Sequence, residues 1–316
     1  MDQRTGVFRM KVFTHNFNPQ SNSGPNKFTR QLFKKLIGEK GFEITSQEDC
    51  EVEFCLIQQE TQKKKPMVLR LDGIYFNSEQ DFKSQNAPIK FSYDNADAVI
   101  FQSNFNKKLT EKWFGVHKNS FVVHNAFLET SSLDKTFKEL HRGLEIWSCA
   151  SSWRPHKRLI ENVRYYLENA PQDSVFIIAG TGFTTEDRSN IKDLVSSQKY
   201  DVTSKNIVFY GELQYNKLKD LYAASSTFVH LAYLDHCPNV VVDAVAHGCH
   251  IICSSTGGTK EVVTKGTVIQ EEDWDFSPIK LYQPPQLDLS KRAEVFENKK
   301  MINCVESYEN IFRNIL

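Results

Sequence analysis

The sequence predicts an α/β protein made of two doubly wound domains. Short apolar runs typical of buried strands alternate with amphipathic helical patterns along most of the 316 residues. This alternation stops once, over residues 131–143, and then starts again, which indicates a linker between two domains. Several predicted strands end in glycine-rich or charged turns, and in doubly wound sheets such turns form the ligand-binding edge.

The first domain is predicted to span residues 1–143. It opens with a buried strand over 10–17, followed by a Gly-Pro turn and an amphipathic helix that ends at Gly38 or Gly41. Four more strand-like runs follow, with helical patterns between the last three: 52–57, 67–73, 97–103 and 120–126.

The second domain is predicted to span residues 144–295. Its strand-like runs are 144–151, 175–182, 206–213, 227–233 and 249–255. Its helical patterns are 157–170, 214–225 and a valine-rich helix that begins near Pro238. The segment 293–316 is predicted to be one or two amphipathic helices, and the C-terminal tail, 296–316, can pack back on the first domain.

Composition limits the function. Hydrophobic residues make up 40% and charged residues 25%, which is typical of a globular chain and not of a disordered one. Lys plus Arg equals Asp plus Glu, at 39 each, so a general polyanion-binding surface is not indicated, although a local basic patch stays open.

Cysteine usage and hydropathy indicate a cytoplasmic protein. The seven cysteines are odd in number and form no C-x-x-C pair, which favours reduced thiols over a disulfide framework or a zinc site. The N-terminus has no long apolar segment of the signal-peptide type. No apolar run approaches 18 residues, so no membrane-spanning helix is predicted.

Two aspartates mark the valine-rich helix. Asp235 lies in the loop at its entrance, and Asp243 projects from it about a turn and a half later. Loops after strands and the starts of the next helices face the ligand crevice of an open α/β sheet. A buried carboxylate there needs donors, which ribose and sugar hydroxyls would supply. Alternatively, Asp235 caps the helix and Asp243 pairs with a nearby base.

A basic segment follows the first strand of the second domain. It contains Arg154, His156, Lys157 and Arg158. Cations at a helix N-terminus oppose the helix dipole, so such a placement calls for an anion, and a pyrophosphate at the strand ends would fit. The alternative is an ordinary basic helix N-terminus.

Glycine turns follow strands in both domains. Gly257 and Gly258 precede a predicted helix that contains Glu261, and backbone N–H groups of such a turn can bind an anion. Gly24 lies in a turn of the first domain that could face the same phosphates. Neither turn is a G-x-G-x-x-G or a P-loop, so a dinucleotide fingerprint and an NTPase are not supported.

Other candidates are weaker. Asp273 and Asp275 form an Asp-x-Asp pair, but in an acidic loop and not at the end of a central strand, so we predict a solvated loop and no metal site. His15, His124 and His236 lie near predicted strand ends, where a lone histidine is more often structural than ligand-binding.

Together, these segments resemble the retaining glycosyltransferases of family 4, which have the GT-B fold of two Rossmann-like domains facing a cleft. The resemblance covers residues 145–265 well and the first domain loosely. It rests on the order and spacing of the basic segment, the strands at 175–182 and 206–213, the aspartate-bearing helix and the Gly-Gly turn.

The resemblance implies roles for individual residues. Asp235 and Asp243 stand where the family has two glutamates, of which the first contacts the donor sugar and the second holds the ribose hydroxyls. Lys157 corresponds to the phosphate-binding lysine. Ser152 replaces the family's arginine, and Arg154 can supply the charge from a neighbouring position. We therefore expect Lys157, Asp235 and Arg154 to be catalytic.

Further positions are implied on the donor and acceptor sides. The donor-binding candidates are Asp243, Gly24, Gly257, Gly258, Glu261, Gly211, Leu213 and Ser152. Asp72 and His15 are candidates for the acceptor side, and no confident equivalent of the family's first-domain histidine is found.

The implied activity is sugar transfer from a nucleotide sugar to a hydroxyl acceptor, with retention, without a metal and without a cofactor. The acceptor could be a glycan, a lipid, a protein or a modified base. Two alternatives stay open: a nucleotide-sugar epimerase on the same fold, and a non-catalytic nucleotide-sugar-binding protein, which the Asp-for-Glu changes and Ser152 would allow.

Overall fold

The computed structural model describes residues 9–129, 136–197, 205–296 and 303–316. They form two compact units, each with its own sheet. The first unit holds the described residues up to 76, residues 80–129 and the C-terminal helix, and the second holds 77–79 and the described residues between 136 and 296. The sequence-based boundary was drawn at 143, whereas this division assigns 136–143 to the second unit.

The first unit is a six-stranded sheet with helices between its strands. In chain order its elements are β1 (Met10–His15), α1 (Gly24–Lys40), β2 (Phe42–Ile44), β3 (Val52–Leu56), β4 (Met67–Leu71), α2 (Phe82–Asn95), β5 (Ala98–Phe101), α3 (Asn104–Phe114) and β6 (Ser120–Val122). The strand order is β2-β1-β3-β4-β5-β6, and every neighbouring pair is parallel. The carboxyl ends of these strands therefore share one edge of the sheet.

Helix α1 forms as its sequence predicts. Ser23 precedes it in an extended conformation, Pro25 lies in its first turn, and Gly41 ends it in the left-handed region at φ 71°. The residues that the periodicity placed on one face are buried: Phe28, Leu32, Phe33 and Leu36. This face covers the sheet and forms much of the core of the first unit.

The second unit is a seven-stranded sheet. Its elements are α4 (Thr136–Leu140), β7 (Glu145–Ser152), α5 (Leu159–Asn169), β8 (Ser174–Thr181), α6 (Thr185–Ser196), β9 (Lys205–Gly211), α7 (Tyr215–Ala224), β10 (Thr227–His230), α8 (Asn239–Ala246), β11 (His250–Ser254), β12 (Lys265–Ile269) and β13 (Arg292–Phe296). The strand order is β13-β12-β11-β10-β7-β8-β9, and all neighbours are parallel except β12 and β13.

Both faces of this sheet are covered, as in a doubly wound fold. One apolar cluster joins the sheet to α7 and α8, through Leu221, Tyr222, Val241 and Val242. The other joins it to α5 and α6, through Val163, Tyr166 and Ile191. Sheets buried on both faces need strands that are apolar throughout, and β8 shows this at 175–179.

The C-terminal segment differs from the expected helices. Residues 292–296 form the strand β13, which pairs antiparallel with β12 and is exposed along most of its length. Only α9 (Cys304–Asn314) is helical in the described part of the tail, and its Tyr308 and Phe312 are fully buried in the core of the first unit. Five residues are too few for periodicity to separate a strand from a helix, and pairing with β12 decides the conformation.

No helix within the described ranges is long and apolar enough to span a membrane. All seven cysteines are free thiols and buried.

Candidate functional site

Three neighbouring strands of the second unit bring three of the predicted site residues together. β11, β10 and β7 are adjacent and parallel, so the loops after them lie at one edge of the sheet. The loop after β7 carries Lys157, the loop after β10 carries Asp235, and the loop after β11 carries Gly257. Segments that lie far apart in sequence thus meet at the edge where doubly wound sheets bind ligands.

The basic segment does not start a helix as the sequence analysis expected. Residues 155–157 form a single 3₁₀ turn, and Arg158 has a left-handed backbone at φ 52°, after which α5 starts at Leu159. The cations therefore precede the α-helix and do not sit in its first turn. Because they lie in this turn and not in the first turn of α5, the unfavourable interaction with a helix dipole that the sequence suggested is not what determines their position.

Arg158 is a structural residue. Its guanidinium donates to both carboxylate oxygens of Glu271 at 2.8 and 2.7 Å and to the carbonyl of Pro285 at 2.9 Å, and it lies 5.0 Å from the centre of the Tyr233 ring. Only 2% of the residue is exposed. The charge of Arg158 is thus neutralised internally, which corrects the expectation that all three cations of this segment face a pyrophosphate.

Arg154 and Ser152 are exposed. Within the described ranges, the guanidinium of Arg154 makes no hydrogen bond and no ion pair, although its backbone carbonyl accepts from the N–H of Lys157 at 2.8 Å. Its guanidinium can therefore bind a ligand without first breaking an internal contact. Ser152, in the family's arginine position, ends β7.

Lys157, Asp235 and His230 form a buried polar cluster. The ammonium of Lys157 donates to Oδ2 of Asp235, and Nε2 of His230 lies 3.0 Å from the same oxygen. The side chains of Lys157 and Asp235 are only 16% and 14% exposed. Lys157 and Asp235 were predicted from the sequence, but His230 was not, because a histidine inside an apolar strand is usually structural.

Burial and charge act in opposite directions on Asp235. Burial by itself would raise the pKa of this carboxyl, but the Lys157 ammonium and the His230 hydrogen bond hold the pKa well below its usual range. Asp235 is therefore an anion at neutral pH. Since a carboxylate can only accept, His230 carries a proton on Nε2.

Two other histidines nearby are neutral. Burial, and to a smaller extent the adjacent Lys157, lower the pKa of His156 to about 3. The ring of His156 is stacked on Tyr282, with centroids 5.5 Å apart. Burial also lowers the pKa of His236 to about 4. Neither histidine adds positive charge to the site at neutral pH.

The Gly-Gly turn lies directly against Asp235. The backbone N–H of Gly258 donates to the Asp235 carbonyl at 2.7 Å, and Gly257 has a left-handed backbone at φ 75°. A Cβ on Gly257 would fall 2.7 Å from Asp235 N and still closer to its carbonyl oxygen. The predicted helix after this turn is only a 3₁₀ turn over Thr259–Val262, which contains Glu261.

We expect Gly257→Ala to destabilise the second unit more than Gly211→Ala. Both glycines have left-handed backbones, at φ 75° and 70°, and an alanine there costs about 1–2 kcal/mol. The space around Gly211 is open, whereas the clash at Gly257 adds about 1–3 kcal/mol. Urea unfolding of the two variants measures the difference, and equal losses would contradict the close approach of Gly257 to Asp235.

Asp243 is buried on α8, where the sequence placed it, with 6% of the residue exposed. Its charge helps to raise the pKa of Tyr222 on the neighbouring helix α7, although burial is the main cause. The backbone carbonyl of Asp243 accepts from Nδ1 of His247 at 2.7 Å. Pro238 directly precedes α8, whereas the sequence predicted it in the first helical turn, and Gly248 lies just past the C-terminal end, as predicted.

Gly211 and Leu213 lie farther along the same sheet. Gly211 ends β9, and Leu213 packs against the apolar cluster that includes α7. β9 is an edge strand and is separated from β7 by β8. These two residues are therefore two strands away from Lys157.

The two acceptor-side candidates are engaged in internal contacts of the first unit. His15 is fully buried, with Nε2 2.8 Å from Glu53, and its Nδ1 accepts from the backbone of Glu60 at 3.4 Å. These are the contacts of a structural histidine, and the assignment of His15 to the acceptor side stays a prediction. Asp72 accepts from the buried guanidinium of Arg70, which limits its availability.

Gly24 is the first residue of α1 and is exposed. Asp273 and Asp275 are exposed in the loop between β12 and β13, and Asp275 accepts from Ser277 at 2.9 and 2.6 Å. Within the described residues, no group of three or more His, Cys, Asp and Glu side chains has the arrangement of a metal site.

Most of the second unit matches a known protein family. Residues 150–275 match the family described as glycosyl transferases group 1. This range contains Lys157, His230, Asp235, Asp243 and Gly257. The resemblance inferred from the sequence is confirmed for this part of the chain. No curated protein matches the sequence.

Solved structures establish the fold. The chain is similar to HepE of Anabaena in complex with UDP and glucose, with 15% identity, a TM-score of 0.57, and 81% of this chain and 83% of that chain covered. It is also similar to sucrose-phosphate synthase of Thermosynechococcus elongatus, with 14% identity, a TM-score of 0.62, and 84% of this chain and 87% of that chain covered. A third similar structure is WaaG, a glycosyltransferase involved in lipopolysaccharide biosynthesis, with 10% identity, a TM-score of 0.64, and 96% of this chain and 99% of that chain covered. The chain thus has two Rossmann-like domains of the GT-B type, as predicted.

Proposed function

We propose that this protein, whose residues 150–275 match the group 1 glycosyl transferases, moves a sugar from a nucleotide sugar to a hydroxyl acceptor with retention and without a metal. The observation that carries the proposal is the meeting of Lys157, Asp235 and the Gly-Gly turn at one edge of the second sheet. Arg154 adds an exposed cation at the same edge.

The charges suit a departing diphosphate. Lys157 and Arg154 provide two cations, and both can approach phosphate oxygens because one is exposed and the other is held by a single carboxylate. Negative charge on the leaving diphosphate grows in the transition state, so these cations stabilise the transition state more than the ground state. Asp243, on the helix that follows Asp235, is proposed to accept hydrogen bonds from the ribose hydroxyls.

A thermal-shift panel tests the proposal. UDP, GDP, ADP and their common sugar conjugates are added to the wild-type protein in excess EDTA. A nucleotide at a hundred times its dissociation constant raises the free energy of unfolding by about 2.7 kcal/mol, so a clear rise of the melting temperature is expected for one base. A shift that appears only when manganese is restored would contradict metal-independent donor binding.

Retention is tested on the reaction product. The responsive nucleotide sugar is incubated with candidate hydroxyl acceptors in EDTA, and the anomeric coupling of the product is read by NMR. We expect the anomeric configuration of the donor to be kept. An inverted product would refute the retaining mechanism, and an altered free nucleotide sugar without any transfer product would favour an epimerase.

A further inference from the structure

His230 shares one carboxylate oxygen with Lys157. His230 lies at the carboxyl end of β10 with 4% of the residue exposed, and its Nε2 is 3.0 Å from Oδ2 of Asp235. The Lys157 ammonium donates to that same Oδ2. The proposed function, on which this inference rests, gives Lys157 a second task, because it also binds the diphosphate of the donor.

The two tasks of Lys157 compete. If its ammonium turns to the diphosphate, the Asp235 carboxylate loses its cationic partner. A mostly buried carboxylate without a partner is strongly unfavourable, and the incoming diphosphate is itself an anion. Something at the site must therefore compensate for the charge of Asp235, and His230 is already in contact with it.

We propose that His230 is a positioning residue that keeps Asp235 paired when Lys157 moves to the diphosphate, and that it takes up a proton from solvent in this exchange. His230 already donates from Nε2, so the added proton is carried by Nδ1. The imidazolium then replaces the ammonium as the cation beside Asp235. The positive charge of Lys157 becomes available to the phosphates, and Asp235 stays in place.

The electrostatics give the sign of this exchange. Burial lowers the pKa of His230 in the free protein, Asp235 raises it, and Lys157 lowers it. When Lys157 leaves the pair, one of the lowering effects is removed and the pKa of His230 rises. At a pH between the pKa of His230 in the free protein and its pKa in the nucleotide complex, His230 is protonated in the complex but not in the free protein. Nucleotide binding through this group therefore strengthens as the pH falls across that window.

Other groups near His230 must be separated from it in the measurement. The loop after β7 carries Lys157 and His156, and the loop after β10 carries Asp235 and His236. Asp243 lies on α8, and Cys253 on β11 is opposite His230 in the strand register. Burial raises the pKa of Cys253 to about 12, so it stays a thiol. The nucleotide also titrates, and only a comparison of variants isolates the contribution of His230.

Calorimetry of nucleotide binding tests the proposal. UDP, GDP and ADP are titrated in turn into the protein between pH 5.5 and 7.5, in buffers of different ionisation enthalpy, which gives the number of protons taken up. The key variant is His230→Gln, which keeps a donor at the position of Nε2 but cannot titrate. We expect the wild type to take up more protons than His230→Gln, by a fraction approaching one at the most sensitive pH, with affinities at pH 7.5 within about threefold.

His250→Gln is the matched control. His250 is the first residue of the neighbouring strand β11, so it lies at the amino ends of the parallel strands, whereas His230 lies at their carboxyl ends. Its ring is hydrogen-bonded to Thr267 at 3.0 Å. This variant should keep the proton uptake of the wild type. A third variant, His230→Phe, keeps a ring but removes the donor, and should weaken nucleotide binding by about tenfold or more.

The outcomes separate this inference from the proposed function. Equal proton uptake in the wild type and His230→Gln would overturn the role of His230, even if the nucleotide binds tightly. If none of the three nucleotides binds the wild type, the proposed function fails and the inference fails with it. If His230→Phe does not fold, the comparison with His230→Gln still decides.

Discussion

Lys157→Met is expected to lower turnover by about 100-fold or more while the fold stays intact. The substitution removes a cation whose interaction with the departing diphosphate strengthens as the bond to the sugar breaks, so the loss should appear in kcat more than in KM. Asp235 keeps the hydrogen bond from His230, which limits the effect on folding. Steady-state kinetics with the nucleotide sugar identified in the thermal-shift panel measures the loss.

Lys265→Met is the matched control for this prediction. Lys265 is exposed and is the first residue of β12. It therefore lies at the amino ends of the parallel strands, whereas Lys157 lies at their carboxyl ends. It changes the net charge of the protein by the same amount but should leave kcat within about twofold, because an exposed charge at this distance is screened by salt. Turnover of Lys157→Met that equals that of Lys265→Met would refute the catalytic role of Lys157.

Asp243→Asn should weaken binding of the nucleoside diphosphate by about 1.5–3 kcal/mol, which is the range for hydrogen bonds to a charged group. Asparagine keeps the shape of the side chain but replaces one carboxylate oxygen with an NH2 group, which donates and cannot accept from a ribose hydroxyl. Calorimetry with the nucleoside diphosphate alone measures the loss directly, without any contribution from the acceptor.

Asp220→Asn controls for the loss of a buried carboxylate. Asp220 lies on the neighbouring helix α7 with 1% of the residue exposed, and its carboxylate accepts from the backbone N–H of Phe137 at 3.2 Å. We expect this variant to lose stability but to keep its nucleotide affinity. If Asp243→Asn also loses only stability, Asp243 is a structural residue, as the alternative interpretation of the sequence allowed.

The strands of both sheets were largely predictable from local pattern. The run 175–179 is apolar throughout and 52–57 is apolar except for Glu53, because parallel strands in a doubly wound fold are buried on both faces. Helix α1 was also predictable, since its apolar spacing and its ending at Gly41 agree with one another. Short elements such as β2 and β13 were missed, because three to five residues carry too little periodicity.

The site was predictable in its charged members but not in their pairing. Lys157 and Asp235 stand out in the sequence because charged residues at the ends of apolar strands are unusual. That Arg158 is neutralised by Glu271, 113 residues away, depends on the position of the loop after β12. Glu271 lay in a segment that the sequence analysis treated only as an acidic loop, and no local pattern connects it to Arg158.

The sequence by itself determined the fold class, and it predicted the loops at the carboxyl ends of the strands and the candidate site residues Lys157, Asp235 and Asp243. These follow from periodicity and from the order of motifs, which can be read from the linear sequence without knowledge of long-range contacts. Only the tertiary structure decided that Lys157 and His230 meet on one oxygen of Asp235, and that His15 is buried against Glu53. The physical reason is that Lys157 lies 78 residues from Asp235 and His15 lies 38 residues from Glu53 in the sequence. Their burial and pairing therefore depend on which strands are adjacent in the packed sheet.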